Sequence, residues 1–320
     1  MAKKPKAVTP SRRPARAGSL TPASEKLQIT VRQRLLTKKL FMIGGIFAAV
    51  LVICLVAVFL FYKVYADPQT VFWSMIRNNL TTNGVTRESI TKSQGVTTDE
   101  ILQTVYSPDI KLRDIKTVAN SSQHTSLTLE TIGTENGDYQ HYRQIKKPGG
   151  DNAKYQKIYS LWLKNGGAGG VPQSVNDSLF GAVLFGNLDE AQRTKLMPLL
   201  KNSYKVNFAG VDTAHAGSRR VYIYRAVLSL KKYALAAQAY AKAEGLGAAS
   251  LINPADYGDN DQLNITLTVD VLSRQVRRID YPARGLSQKY SGYGLQANIQ
   301  PPAHTVNAGQ FENVVNSVLR

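Results

Sequence analysis

Leu40 to Tyr62 is a run of 23 residues without a charged side chain. No other feature of this 320-residue chain constrains it as strongly. As a helix the run is about 35 Å long, enough to cross a hydrocarbon core of about 30 Å. A secretory signal has a shorter apolar core, roughly 7–15 residues, behind a short basic leader. Here 39 residues precede the run. It is apolar on every side, which argues against a core helix of a soluble domain. The expectation is an uncleaved, single-pass signal anchor. Val64-Tyr65-Ala66 does fit the small-residue rule for cleavage before Asp67, so release at that point is the alternative. Leu51-Val52-Ile53-Cys54 is a poor lipoprotein attachment box, because Ile53 is not small. Cys54 reads as a packing residue in mid-span.

Charge sets the orientation. Residues 1–39 carry eleven Lys and Arg against the single acid Glu25, whereas residues 63–82 carry only Lys63 and Arg77. The positive-inside bias keeps the N-terminus cytoplasmic and sends the C-terminal part out. The tail thus holds ten of the eighteen net positive charges. Four prolines and few apolar residues before Leu27 predict that its first part is disordered. Leu27–Leu36 has the pattern of a short basic amphipathic helix on a membrane surface. Arg32, Arg34, Lys38 and Lys39 are the expected contacts with anionic lipid, each adding about 1 kcal/mol near the surface. Membrane lipid, rather than nucleic acid, is the expected partner of this tail.

Cys54 is the one cysteine, so residues 67–320 have neither disulfides nor thiolate chemistry. A segment of that length buries a core unaided. This usage suits a bacterial envelope protein. Asp67-Pro68 reads as a cap and first helical residue, followed by Val71, Phe72, Met75, Ile76 and Leu80 at helical spacing. A short helix is expected near Glu100–Val105 and a strand near Ile110–Val118. Further strands are expected at Thr125–Leu129, at Tyr139–Ile145 after the Asn136-Gly137 turn, and at Tyr155–Leu163. Gly166–Gly170 lacks a phosphate-loop register and reads as a flexible loop. Beyond it come a helix at Asp189–Leu200 disturbed by Pro198, a strand at Tyr204–Val211, and a long strand at Arg219–Leu230 running into a helix at Tyr233–Glu244. A hairpin turns near Leu272–Arg274. One strand between Leu286 and Ile299 and a closing helix at Phe311–Val318 complete the chain. Strands alternating apolar with polar describe an antiparallel sheet covered on one side, so the class is α+β.

The order of an Asp-Pro helix, an antiparallel meander, the strand "RRVYIYRAVLSL" entering the helix "KKYALAAQAYAKAEG", and the hairpin "NITLTVDVLSRQVRRIDYP" resembles the LolA/LppX-like group of extracytoplasmic lipid and lipoprotein carriers. The resemblance implies a half-barrel-like antiparallel sheet lidded by helices, over about residues 67–300. It also implies a lipid, glycolipid or lipoprotein-like ligand. Members are usually soluble or lipid-anchored, so a helix anchor here favours a tethered carrier or a sensor over a shuttle. The sheet face carrying Leu127, Leu129, Tyr222, Tyr224, Ile265, Leu267 and Val269 is the candidate ligand-binding surface. An ordinary filled core requires the same residues, and both readings stay open.

Catalytic patterns are weak. His124, His141, His215 and His304 lie far from one another in sequence, and no metal site is expected. Ser229-Leu230-Lys231-Lys232 matches the SxxK pattern without its Ser-Asp-Asn and Lys-Thr-Gly companions. Asp256, Asp259 and Asp261 lack EF-hand spacing. No catalytic residue and no cofactor are assigned. The expected function is noncatalytic binding of a lipid or lipoprotein-like ligand at the cell membrane. The alternative is an envelope structural or signalling protein with a filled core and a protein partner. A cell-wall enzyme is the third alternative.

Overall fold

The computed structural model describes residues 45–165, 174–175, 181–295 and 297–319. The chain divides into two compact units, Met1–Tyr62 and Lys63–Arg320. Helix α1, Gly45–Lys63, is 19 residues, long and apolar enough to cross a membrane. Cys54 is exposed on it. Arg32, Arg34, Lys38, Lys39, the Leu27–Leu36 stretch, the start of the apolar run and Gly166–Gly170 lie outside the described residues.

The second unit is α+β. Its strands are β1 (Gly84–Ser93), β2 (Val96–Val105), β3 (Lys111–Asn120), β4 (Thr125–Thr134), β5 (Gly137–Lys146), β6 (Leu163–Asn165), β7 (Tyr204–Val206), β8 (Asp212–Ala216), β9 (Arg219–Ser229), β10 (Gln262–Asp270), β11 (Val276–Tyr281) and β12 (Leu286–Ser291). They form one open antiparallel sheet in the order β6-β5-β4-β3-β2-β1-β12-β11-β10-β9-β7, with β8 also paired to β9. The helices are α2 (Pro68–Asn79), α3 (Asn152–Tyr159), α4 (Glu190–Ser203), α5 (Leu230–Ala243) and α6 (Ala308–Leu319).

Local chemistry explains most boundaries. The Asp67 carboxylate accepts from the Thr70 N–H at 2.8 Å and Pro68 opens α2, which buries Val71, Phe72, Met75 and Ile76. Asp189 and Gln192 form a reciprocal capping box on α4, and Pro198 sits inside that helix without ending it. Gln94 and Gly95 both have positive φ, as a tight turn between twisted strands requires. They join β1 to β2.

Three expectations are corrected. Glu100–Val105 is strand, not helix: Leu102 and Thr104 are buried while Ile101 is exposed, a period of two. Tyr155–Leu163 is mostly helix α3, because Asp151 caps it and Tyr155 and Ile158, three apart, are its buried pair. Tyr204–Val211 breaks after Val206 into a single 3-10 turn, where the Asn207 side chain accepts from the Ala209 N–H. The strand expected between Leu286 and Ile299 is β12, Leu286–Ser291, beyond which Gly292 and Gly294 take positive φ.

Register places one row of residues across one face of the sheet. Tyr224 faces Leu267, which faces Ile279, then Gln288, then Ser89. The row continues through Glu100, Lys116, Leu129 and Tyr142. It is apolar at both ends and polar in the middle. This pattern splits the face into two apolar halves, and the chain treats them differently.

Over β9–β12 the face is roofed. Phe72 of α2 meets Tyr224 edge to face at 5.2 Å, and α4, α5 and the segment 182–188 complete the layer. That segment is neither helix nor regular strand and is mostly buried, so its backbone needs partners. Tyrosines supply them: Tyr204, Tyr233 and Tyr240 donate to the carbonyls of Ala182, Gly181 and Phe185. The Tyr281 hydroxyl accepts from the Ala182 N–H at 3.2 Å. Along its other side the segment pairs with the end of α2, through Gly186 N–H to Asn79 and Leu188 N–H to Leu80.

Candidate functional site: an open apolar groove on the second half of the sheet

The seven apolar residues named from sequence share one face but not one environment. Tyr222, Tyr224, Ile265, Leu267 and Val269 are all buried, at 4% exposure or less, under the roof just described. The hydroxyls of Tyr222 and Tyr224 donate to the carbonyls of Ala66 and Pro68 at 2.6 and 2.8 Å, tying β9 to the start of α2. Leu127 is 36% exposed and Leu129 is half-buried. These two lie on the other half and, among the described residues, neither belongs to the buried cluster under the roof, which reaches β1–β3 only at Val85, Leu102 and Leu112.

There the face forms a groove. Val96, Val118, Leu127, Tyr142 and Ile145 line a space of about 450 Å³. A second space of about 290 Å³ adjoins it through Tyr142 and is walled by Leu129, Leu163 and, from α6, Phe311 and Val315. These sizes sit about the lower end of the range for small-ligand clefts, roughly 300–1,000 Å³. The strands are long enough to make the groove because β1–β5 are each ten residues. An irregularity between Thr128 and Leu129 lets Ile145 and Tyr142, three apart, face the same side.

Helix α6 forms one wall. The Tyr142 and Phe311 rings stack at 5.9 Å, and Val314, Val315 and Val318 pack with Tyr155 and Ile158 of α3. The helix is held there from the opposite face of the sheet. The chain before it pairs with β6: the Val306 N–H donates to Trp162 at 2.8 Å, and the Lys164 N–H donates to Val306 at 3.1 Å. Trp162 stacks on His141 at 3.8 Å. His141 in turn contacts the Glu130 carboxylate at 3.0 Å and the Tyr159 carbonyl at 3.2 Å. Glu130 also accepts from Arg113 at 2.6 Å and lies 3.5 Å from Arg143. Burial alone would raise its pKa, but the His141 and Arg113 hydrogen bonds and the two guanidinium charges outweigh it. The Glu130 carboxyl is held down at about 2.

Polar groups mark the boundaries of the groove. Between the two halves of the face, Arg87 pairs with Glu100 at 2.7 Å, and Ser89 donates to the same carboxylate at 3.1 Å. Beside them, burial and the Glu100 charge push the Asp114 carboxyl up to about 6. At the β5 end Lys146 and Lys147 join Asn120, Thr125 and Ser126 in the lining. Both lysines are exposed, and neither has a carboxylate within ion-pair distance among the described residues. Glu312 lines the opposite end, beside α6.

Asp256, Asp259 and Asp261 lie apart from the groove. Lys231 binds Asp259 at 2.8 Å, and Asp261 accepts from the Gly258 N–H at 2.8 Å, so this cluster is turn structure. Among the described residues no three His, Cys, Asp or Glu side chains are grouped as a metal site. Sequence inspection missed Val96, Val118, Tyr142, Ile145 and Phe311 as groove residues. Period two alone sets Tyr142 and Ile145 on opposite faces of β5, Val96 and Val118 lie on β2 and β3, and Phe311 lies on α6, so their meeting depends on the register of four strands, the irregularity in β4–β5 pairing and the docking of α6.

No family model matches the sequence, and no curated protein matches it. Among solved structures, the chain is similar to the crystal structure of LprF from Mycobacterium bovis. The two are 11% identical, the match covers 74% of this chain and 98% of that chain, and the TM-score is 0.39.

Proposed function

We propose that this protein is a membrane-anchored, noncatalytic binding protein whose groove over β3–β5 takes the acyl chain of a lipid or lipoprotein-like ligand. One observation carries the proposal: an apolar sheet face is roofed and filled over β9–β12 but left as an open, lined groove over β3–β5. An acyl chain needs a continuous apolar surface and little specific polar chemistry. Each CH₂ removed from water contributes about 0.8 kcal/mol. In this proposal Leu127 and Leu129 touch ligand, whereas Tyr222, Tyr224, Ile265, Leu267 and Val269 hold the scaffold that supports the groove. The N-terminus is cytoplasmic, α1 spans the membrane, and Lys63–Arg320 lies outside in a bacterial envelope.

The filled half favours a second reading, an envelope interaction protein that uses the same groove for an apolar peptide segment of a partner. Mass spectrometry of lipid extracted from the purified full chain separates the two. An acyl lipid at fixed stoichiometry is expected. A lipid-free chain that also takes up none from vesicles overturns the proposal and leaves the interaction protein. Protease digestion of intact cells tests the topology: the C-terminal part is cleaved from outside and residues 1–39 are protected. Recovery of a soluble form beginning at Asp67 contradicts it.

A further inference from the structure

The turn between β10 and β11 holds an apolar side chain outward. The Asp270 carboxylate is buried and paired with Arg219 and Arg277. It also accepts from the N–H groups of Leu272 and Ser273 at 3.0 and 2.9 Å. The Arg274 N–H donates to the Asp270 carbonyl at 2.9 Å, which closes the turn. Leu272 projects from it at 60% exposure, and residues 271–275 contain no acid. A lone exposed leucine is ordinary; the attachment of this one is not. The Tyr65 hydroxyl donates to the Leu272 carbonyl at 3.1 Å. Arg274, with φ 51° in the left-handed region, lays its guanidinium over the Tyr65 ring, 4.0 Å from the centroid. The same group donates to the Tyr65 carbonyl at 3.2 Å and to the Ser74 hydroxyl of α2 at 3.1 Å. A non-glycine residue in that backbone region is strained, and here the contacts that hold it go to the chain leading out of α1. Tyr65 is the second residue after Lys63, the end of α1, and two residues reach about 7 Å.

We infer that the β10–β11 turn is a second membrane contact, with Leu272 inserted at the headgroup–acyl boundary of the bilayer beside the Tyr65 ring. The inference rests on the reading of α1 as a membrane span. Tyrosine suits that boundary, because its ring meets acyl chains while its hydroxyl meets polar groups. Leucine there removes apolar area from water. One leucine is too little to bind a membrane by itself. With α1 tethering the turn, insertion is an intramolecular step, and a weak contact suffices. The folded unit thereby gains an end that faces lipid.

Depth-dependent quenching of the full chain tests this, in vesicles of phosphatidylcholine and phosphatidylglycerol. A nitrobenzoxadiazole label is attached to Cys54 in the unmodified chain, and to Leu272→Cys or Asn260→Cys in a Cys54→Ser background. Asn260 is exposed just before β10, whose nine residues separate it from the turn by about 30 Å. The quenchers are lipids bearing a nitroxide near the headgroup or at mid-chain, and aqueous iodide. Expected at position 272 is loss of fluorescence to the shallow nitroxide and protection from iodide, with the reverse at position 260. Arg274→Ala should return the 272 label to the behaviour of the 260 label, its melting temperature checking that it folds. Retained lipid quenching in that variant overturns the clamp as the cause of insertion. The 272 and 260 labels decide the contact whether or not Arg274→Ala folds. A 272 label open to iodide, or quenched no more than the 260 label, overturns the contact and leaves the span standing if Cys54 is quenched at mid-chain. A Cys54 label that no lipid quenches overturns the span and the inference with it.

Discussion

The ring of Tyr142 lies 5.9 Å from that of Phe311, centroid to centroid, with an interplanar angle of 19°. Through this stack the C-terminal helix becomes a wall of the groove. An aromatic pair contributes about 0.5–1.5 kcal/mol beyond its area. Phe311→Ala should therefore release α6 locally and leave the β9–β12 core intact. Hydrogen exchange is the measurement: amides of 308–319 should lose protection while those of β10 keep theirs. Loss of protection in both would mean that α6 is integral to the main core.

The two halves of the face should respond oppositely to added bulk. Leu267 is fully buried between Tyr224 and Ile279, so Leu267→Trp or Val269→Phe should cost about 1–3 kcal/mol through overpacking. Leu127→Trp adds its volume to open space and should cost little. Chemical denaturation of the three variants reads this directly, and equal losses would remove the distinction between roof and groove.

Glu244 sets one pH dependence. Burial pushes its carboxyl up to about 7, only partly offset by a backbone hydrogen bond at Asn187. One of its oxygens is buried without a hydrogen-bond partner, and it ends α5, where a negative charge opposes the helix dipole. Raising a carboxyl pKa on folding penalises the folded state once the unfolded chain ionises. Stability from this group is therefore greatest below about 4.5, falls as pH rises toward 7, and is flat above. Glu244→Gln should be more stable than the parent at pH 8, by about 1–2 kcal/mol after allowance for residual solvent. The gap should close by pH 4. A gap unchanged between these pH values would contradict the assignment.

Glu130 has the opposite sign. Its pKa is depressed to about 2, so its contribution is present above about 4.5 and is lost as pH falls toward 2. Glu130→Gln strips Arg113, Arg143 and His141 of their shared anion. It should destabilise at pH 7 and lose that disadvantage in acid. Thermal melts at both pH values check this.

Much of the fold was legible because its signals are local. Asp67-Pro68 capped α2, Asn136-Gly137 turned β4 into β5, and alternation in "NITLTVDV" gave β10 its faces. α3 was misread because Tyr155, Tyr159, Leu161 and Leu163 imitate a strand; the decisive residue was Asp151, a cap lying just ahead of the run. The candidate site was half legible for a different reason. Period two places Leu127 and Leu267 on faces of their strands, and register makes those the same face. Nothing local reveals that 182–188, clamped by Tyr204, Tyr233 and Tyr240, fills one half while the other stays open. That depends on contacts between residues tens of positions apart.

The central claim is that an acyl ligand lies against Leu127 and not against Leu267. Its most direct measurement is the lipid carried by purified Leu127→Trp beside the unmodified chain, quantified by mass spectrometry at matched melting temperature. The unmodified protein should carry acyl lipid and Leu127→Trp, equally stable, should carry little. An equally stable Leu127→Trp that retains the full complement of lipid would contradict it.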